Sequence, residues 1–135
     1  MNISDAARHS GLSAKTIRYY EEIGLVGVPA RASNGYRDYD EAAVAELRFV
    51  QRARQVGFSV DECRQLLQIQ RDPGRHSAHV KTLVQEKCEQ IEERIASLRN
   101  MGTVLQEMAA TCNGDEGPAC GILDRLARAE VQQDE

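Results

Sequence analysis

Two cysteines, Cys112 and Cys120, bracket the short run "NGDEGPA". Asn, Gly, Asp and Pro at that density belong to an exposed turn, where a free thiol is a liability unless it is used. As thiolates, the pair suits a soft cation. Two thiolates alone suit a linear, two-coordinate d10 ion, namely Cu(I), Ag(I) or Au(I). Zinc asks for about four ligands in a tetrahedral array. Asp115 and Glu116 offer oxygens, which are poor company for Cu(I). The same two thiols also suit a redox sensor that closes to a disulfide, and at this point both chemistries stand.

The other groups that could do chemistry read as structural. Cys63 falls on an apolar helix face and is expected in a core; Cys88 falls on a helix seam. His9, His76 and His79 have no matching ligand set and read as surface or cap residues. No nucleophile–base pair, phosphate loop or carboxylate pair stands out, so an enzyme is not expected. No apolar run approaches the roughly 18 residues of a membrane span, and "MNISDAARHS" lacks the pattern of a signal peptide. The expectation is a cytoplasmic chain with reduced thiols and no membrane partner.

Overall charge is −4, weakly against nucleic acid as a partner, but its distribution matters. Residues 1–75 carry 11 Lys and Arg against 10 Asp and Glu; residues 76–135 carry 6 against 11, within totals of 17 and 21. A locally basic head on an acidic body is compatible with DNA binding.

The elements that must position these groups follow from spacing. "NISDAARHSGLSAKTIRYYEEIGLV" reads as two short helices: Ile3, Ala6, Ala7 and Ile17 face inward, Gly11 makes the turn, Ser13 caps the second helix, and Gly24 ends it. That is a helix-turn-helix. On its second helix Lys15, Thr16 and Arg18 would reach base edges or phosphates, and Tyr19 and Tyr20 would bond phosphates. "VPARASNGYRDYD" then reads as two extended strands joined by an Asn34-Gly35 turn, a wing. It presents Arg31, Asn34, Tyr36, Arg37 and Tyr39 away from any core. Asp40 caps a helix to about Gln55 with Val44, Leu47, Val50 and Ala53 inward. "SVDE" places a capping box, Ser59 with Glu62, before a helix bearing Val60, Cys63, Leu66 and Leu67.

"RDPGRHS" is a breaker. From residue 76 to 110 there is no proline and a single glycine, Gly102, which allows a helix roughly 50 Å long. Val84, Cys88, Ile91, Ile95, Leu98, Gly102, Leu105 and Ala109 keep the 4-3-4-3 spacing of a coiled-coil seam. A helix this long cannot be covered by so small a head, so a second chain is expected. After the loop, "GILDRLARA" makes a short amphipathic turn with Ile122, Leu123 and Leu126 on one side, and "EVQQDE" is expected to fray. The expected organisation is a winged helix-turn-helix over 1–70, a hinge at 71–75, a dimerisation helix over 76–110, a metal-binding loop at 111–121, and a short helix and tail over 122–135.

"TIRYYEEIGL", then "NGYRDY", then "RQVGFSVDE", in this order, resembles the MerR family of bacterial transcription regulators across the whole chain. The resemblance implies a mainly α fold: a winged helix-turn-helix head and a long helix packed antiparallel against its partner's in a homodimer. It implies binding to double-stranded promoter DNA with an over-long spacer, which effector binding distorts so that RNA polymerase can use it. DNA contacts would fall on Lys15, Arg18, Tyr19 and Tyr20, on Arg31, Asn34, Gly35, Tyr36 and Arg37 of the wing, and on Arg54. The cysteine loop resembles that of the CueR-type copper(I)-responsive branch, which implies one Cu(I), or Ag(I) or Au(I), per protomer and control of efflux or detoxification genes. Divalent-metal members carry a third cysteine where this chain has Ser77. By resemblance the site lies against the partner's long helix, where its N-terminus and Lys81 would offset a negative bis-thiolate. Asn113 and Pro118 depart from the copper pattern and leave copper and gold both open.

Overall fold

The computed structural model describes residues 1–128; the tail expected to fray, from residue 130, lies outside the described residues. Six helices follow in order: α1 (Ile3–Ser10), α2 (Ala14–Glu22), α3 (Glu41–Gln55), α4 (Val60–Arg71), α5 (Ser77–Ala110) and α6 (Gly121–Ala127). They divide between two compact units, Met1–Lys87 and the segment from Cys88 onward.

The first unit is built from caps and a small core. Asn2, Ser13, Asp40 and Ser59 each accept a backbone N–H three residues on, and Glu62 completes the capping box at Ser59. Each such cap is worth about 1 kcal/mol. Gly11 takes φ 79° at the α1–α2 turn, a left-handed conformation that costs a side-chain-bearing residue more. Ala6, Ile17, Leu25, Val44, Leu47, Val50, Cys63 and Leu67 are buried together. The free C-terminal carbonyls of the two small helices are met from outside: Arg48 donates to His9 O, and Arg64 donates to Gly24 O and Ile23 O. Helix ends without such partners would leave carbonyls unsatisfied.

The wing departs from the expected pair of strands. Among the described residues its only ladder element is a single antiparallel bridge between Arg31 and Arg37. Its turn is also longer than the two residues expected. Gly35 N bonds Ala32 O at 2.9 Å and Ala32 N bonds Tyr36 O at 2.7 Å, so Ser33, Asn34 and Gly35 form a three-residue loop with Gly35 at φ 85°. This is the arrangement in which a turn is followed by one left-handed residue. Outward from the bridge only Asp38 N to Ala30 O, at 2.9 Å, continues the pairing, and the next amide, Tyr39 N, already bonds Met1 O.

Helix α5 contains no buried residue. Within the first unit its opening turns carry a half-buried stripe, Val80, Leu83 and Lys87, at helical spacing. Leu83 packs on the core. Lys87 Nζ lies 2.7 Å from Glu62 Oε1 and 5.5 Å from the centre of the Phe58 ring. The seam residues face elsewhere: Val84, Ile91, Ile95, Leu98 and Leu105 are 43, 42, 36, 57 and 63% exposed, and Cys88 is exposed.

Candidate nucleic-acid interface and metal site

The loop is drawn shut at its neck. Thr111 closes the end of α5, donating its hydroxyl and its backbone N–H to Met108 O at 2.7 and 3.0 Å, and Cys112 N bonds Ala109 O at 3.3 Å. Across the neck stands Gly121, the first residue of α6. A Cβ built there would lie 2.6 Å from Thr111 O and 2.9 Å from Thr111 Oγ1. Only glycine permits that approach, and it sets the two flanking cysteines beside one another. Inside the loop, Gly114 takes φ 68° and Gly117 N bonds Asp115 Oδ1 at 2.9 Å.

Cys112 and Cys120 are free thiols, each half-buried. Cys120 holds the N-cap position of α6. The backbone N–H of Leu123, then the Cys112 thiol, then the N–H of Ile122 hold its pKa below the ordinary thiol value, against desolvation and the charge of Asp124. Thiolate is the form that binds soft metal. Among the described residues, no three His, Cys, Asp or Glu side chains gather into a metal cluster, so the candidate donors at this neck are the two sulfurs. That fits a linear ion and does not fit tetrahedral zinc.

Helix α6 packs along the last turns of α5 around a groove bordered by Val104, Met108, Thr111, Gly121, Asp124 and Arg125. Ile122 is half-buried, but Leu123 and Leu126, expected on the same face, are 64 and 63% exposed. Leu126 nevertheless borders that groove with Val104 and Met108, and Leu123 does not.

On the first unit, a cleft of about 370 Å³ lies between the start of α1, helix α2 and the wing. Arg18, Arg31, Asn34, Tyr36 and Arg37 line it together with Asn2, Ile3 and Ser4. Three guanidiniums around one cleft make a positive surface suited to phosphates. Lys15 and Arg18 are exposed, as are Tyr19 at 51% and Tyr36 at 73%. Some polar groups brace the surface itself: Arg31 Nη1 bonds Gly35 O at 2.7 Å, and Asn34 Oδ1 accepts the Tyr36 N–H at 3.1 Å. Thr16 shares the cap, 2.9 Å from Ser13 Oγ. Arg54 is exposed, with Nη1 donating to Phe58 O.

Two tyrosines depart from expectation. Tyr20 is 6% exposed and belongs to the core, which leaves little of it for a phosphate. Tyr39, read as a wing-surface residue, is 2% exposed, and its hydroxyl donates to Glu21 Oε2 at 2.6 Å. Burial, with the Glu21 carboxylate, pushes the Tyr39 phenol well above its ordinary pKa. Glu21 itself escaped sequence reasoning. The signal was present, because a carboxylate four residues after Ile17 stands on the apolar stripe of α2 and must find partners there. Lys87, Arg64 and Gly121 were also missed, since each acts on a residue far away in sequence or across a loop.

Two family models match the chain: "MerR HTH family regulatory protein" over residues 1–70 and "MerR, DNA binding" over residues 44–108. The chain is 47% identical to the HTH-type transcriptional regulator HmrR of Rhizobium leguminosarum bv. viciae, over 94% of this chain and 98% of that one. It is equally identical to the HTH-type transcriptional regulator CueR of Salmonella typhi, over 94% and 92%. Among solved structures it resembles the transcription regulator PbrR691 of Ralstonia metallidurans CH34 in complex with lead(II). That match has a TM-score of 0.83 at 31% identity, over 94% of this chain and 99% of that one. The winged head, the long helix and the cysteine loop thus have one explanation: the chain belongs to the MerR family of helix-turn-helix transcription regulators, and is a DNA-binding regulator rather than an enzyme.

Proposed function

We propose that this regulator senses a monovalent soft metal ion, Cu(I) with Ag(I) and Au(I) as chemical equivalents, one per protomer, through Cys112 and Cys120. The observation that carries the reading is the loop neck. Gly121 packed on Thr111 sets two thiols side by side with no third donor gathered there among the described residues, and α6 amides lower the pKa of one. Such an ion supplies two strong, opposed bonds to thiolate sulfur. Ser77, where divalent sensors place a third cysteine, supports the monovalent choice. The lead(II) held by the Ralstonia neighbour supports metal as the class of effector.

The protein acts as a cytoplasmic homodimer through Val84, Cys88, Ile91, Ile95, Leu98 and Leu105, the exposed seam of α5. Lys81, exposed near the start of that helix, offsets the negative charge of the loop across the dimer. Lys15, Arg18 and Tyr19 from α2, with Arg31, Asn34, Gly35, Tyr36 and Arg37 from the wing and Arg54 beyond it, hold promoter DNA. A closed loop favours one of two operator-bound states. In the favoured state the operator is distorted at its centre, and RNA polymerase transcribes efflux or detoxification genes.

The test is anaerobic titration of the reduced protein with Cu(I) and with Au(I), each against a competing chelator, in wild type and Cys112→Ser. One ion per protomer, lost in the variant, is expected, and the ratio of the two affinities names the effector. If neither ion binds tightly, the metal reading fails and a redox role for the thiol pair takes its place.

A further inference from the structure

Glu21 is nearly sealed from solvent, its side chain 2% exposed, yet it sits on the helix proposed to read DNA. One carboxylate oxygen takes the Tyr39 hydroxyl at 2.6 Å. The other, Oε1, faces Arg37 Nε at 3.4 Å, and neither of these two buried atoms has a hydrogen-bond partner. The contact is therefore ionic attraction along the inner edge of the guanidinium. Arg37, 32% exposed, also lines the basic cleft with Arg18 and Arg31. Its inner edge is held from behind while its side chain borders the surface where anions would approach.

We infer that Glu21 is a positioning residue for DNA binding: its buried carboxylate, fixed by Tyr39, aims Arg37 from the wing into the phosphate-facing cleft and so sets wing and recognition helix in one register. The physical reasons are three. A buried carboxylate is costly unless it is paired, so its place on α2 calls for an arrangement that holds charge to charge. An arginine side chain is otherwise free to sample many rotamers, and each phosphate contact would then cost that freedom. The bond to Tyr39, near the end of the wing, ties the wing to α2, so the same carboxylate holds two wing residues. Glu21 touches no DNA in this role; it acts through Arg37.

This inference rests on the reading of the cleft as phosphate-facing, and the test separates the two. The probe is a duplex enriched by the wild-type protein from a random-sequence pool, with affinity measured against salt concentration. Arg37→Gln, by losing one phosphate contact, is expected to lower the salt slope by about one and affinity by roughly tenfold. Glu21→Gln, which can still accept the Tyr39 hydroxyl, is expected to produce the same loss, and the double variant no more than either. Val50→Ala, a core truncation at a residue with no bond to Glu21 or Arg37, is expected to lower the thermal midpoint while keeping the slope, which distinguishes positioning from mere support of the fold. Glu21→Asp, whose carboxylate is drawn back by one methylene, carries the same expectation as Glu21→Gln should the latter not fold. A full slope or tighter binding in a folded Glu21 variant, or additive losses in the double, overturns the inference while the cleft stands. An unchanged slope in Arg37→Gln sinks the cleft reading, and the inference with it.

Discussion

The two units of this chain use apolar side chains in opposite ways. Residues 1–87 bury theirs: Ile17, Val50 and Cys63 have no exposure at all. From Cys88 through residue 128 no described residue is buried, although Ile91, Ile95, Leu98, Leu105, Leu123 and Leu126 all lie there. The first unit is a protein in miniature. The second leaves its described apolar residues open, as one side of the proposed dimer interface would, and a helix of that kind draws its stability from a partner. Specific chemistry follows the same division. The head holds the basic cleft proposed to face DNA in place with internal bonds, whereas the loop holds its thiols through one glycine contact.

The sharpest way to break the comparison is to put a charge into the seam. Ile95→Glu is expected to leave a folded head, read from its tyrosine near-ultraviolet circular dichroism, and to yield monomers in sedimentation. Operator affinity should fall by roughly 10²–10⁴, the gain that joining two heads supplies. A dimer that survives Ile95→Glu would mean that the chain associates through some other surface.

Next in size is the same kind of truncation made in each unit. Ile17→Ala should cost about 2–5 kcal/mol of stability, independent of protein concentration, because Ile17 is fully buried within its own unit. Leu98→Ala should lower a melting temperature that itself shifts with protein concentration, as for any folded state stabilised by association. Denaturant and thermal melts over a range of concentrations distinguish the two. Equal behaviour would erase the contrast between units.

The loop offers a smaller effect confined to one function. Gly121→Ala pushes a methyl group into Thr111 backbone oxygen, so the neck must open and the cysteines separate. We expect Cu(I) affinity to weaken roughly ten- to a hundredfold, in the range seen when groups that orient metal ligands are lost, with no change in the melting of the head. Unchanged affinity would show that the neck does not set the distance between the sulfurs.

How much of this was legible in the sequence follows from the range over which each feature acts. Caps such as Ser59–Glu62 and the stripe Val44, Leu47, Val50 and Ala53 are local, and both were readable from spacing. That Cys112 and Cys120 meet was readable because they stand within nine residues at the ends of one turn-rich loop. Tyr39 and Tyr20 were misplaced because an aromatic residue suits a core and a phosphate equally well, and only the packing of wing on α2 decides. The wing's single bridge was not legible either, since Asn-Gly signals a turn without fixing its length. Arg64 reaching back to Gly24, and Lys87 reaching Glu62, cross 40 and 25 positions; no period or motif announces such pairs.

The smallest effect tests the junction that joins α5 to the head. Lys87 is 13% exposed and bonds Glu62, which also closes the cap of α4. The Lys87 ammonium, followed by the Ser59 backbone, lowers the Glu62 pKa below its ordinary 4.5. A carboxylate with a lowered folded pKa contributes stability that is fully present above the unfolded value and is lost as pH falls through the folded one. Lys87→Met keeps an apolar stem on Phe58 and removes the charge, and should cost about 1 kcal/mol near neutral pH. The gap between wild type and variant should hold steady down to the ordinary glutamate range and close below it, as protonated Glu62 ceases to distinguish lysine from methionine. Urea melts at neutral and acidic pH measure that gap directly. A gap that persists in acid would assign the Lys87 charge to cation–π attraction over the Phe58 ring, since methionine keeps the apolar stem, and the start of α5 would then be joined to the head by that contact rather than by the ion pair.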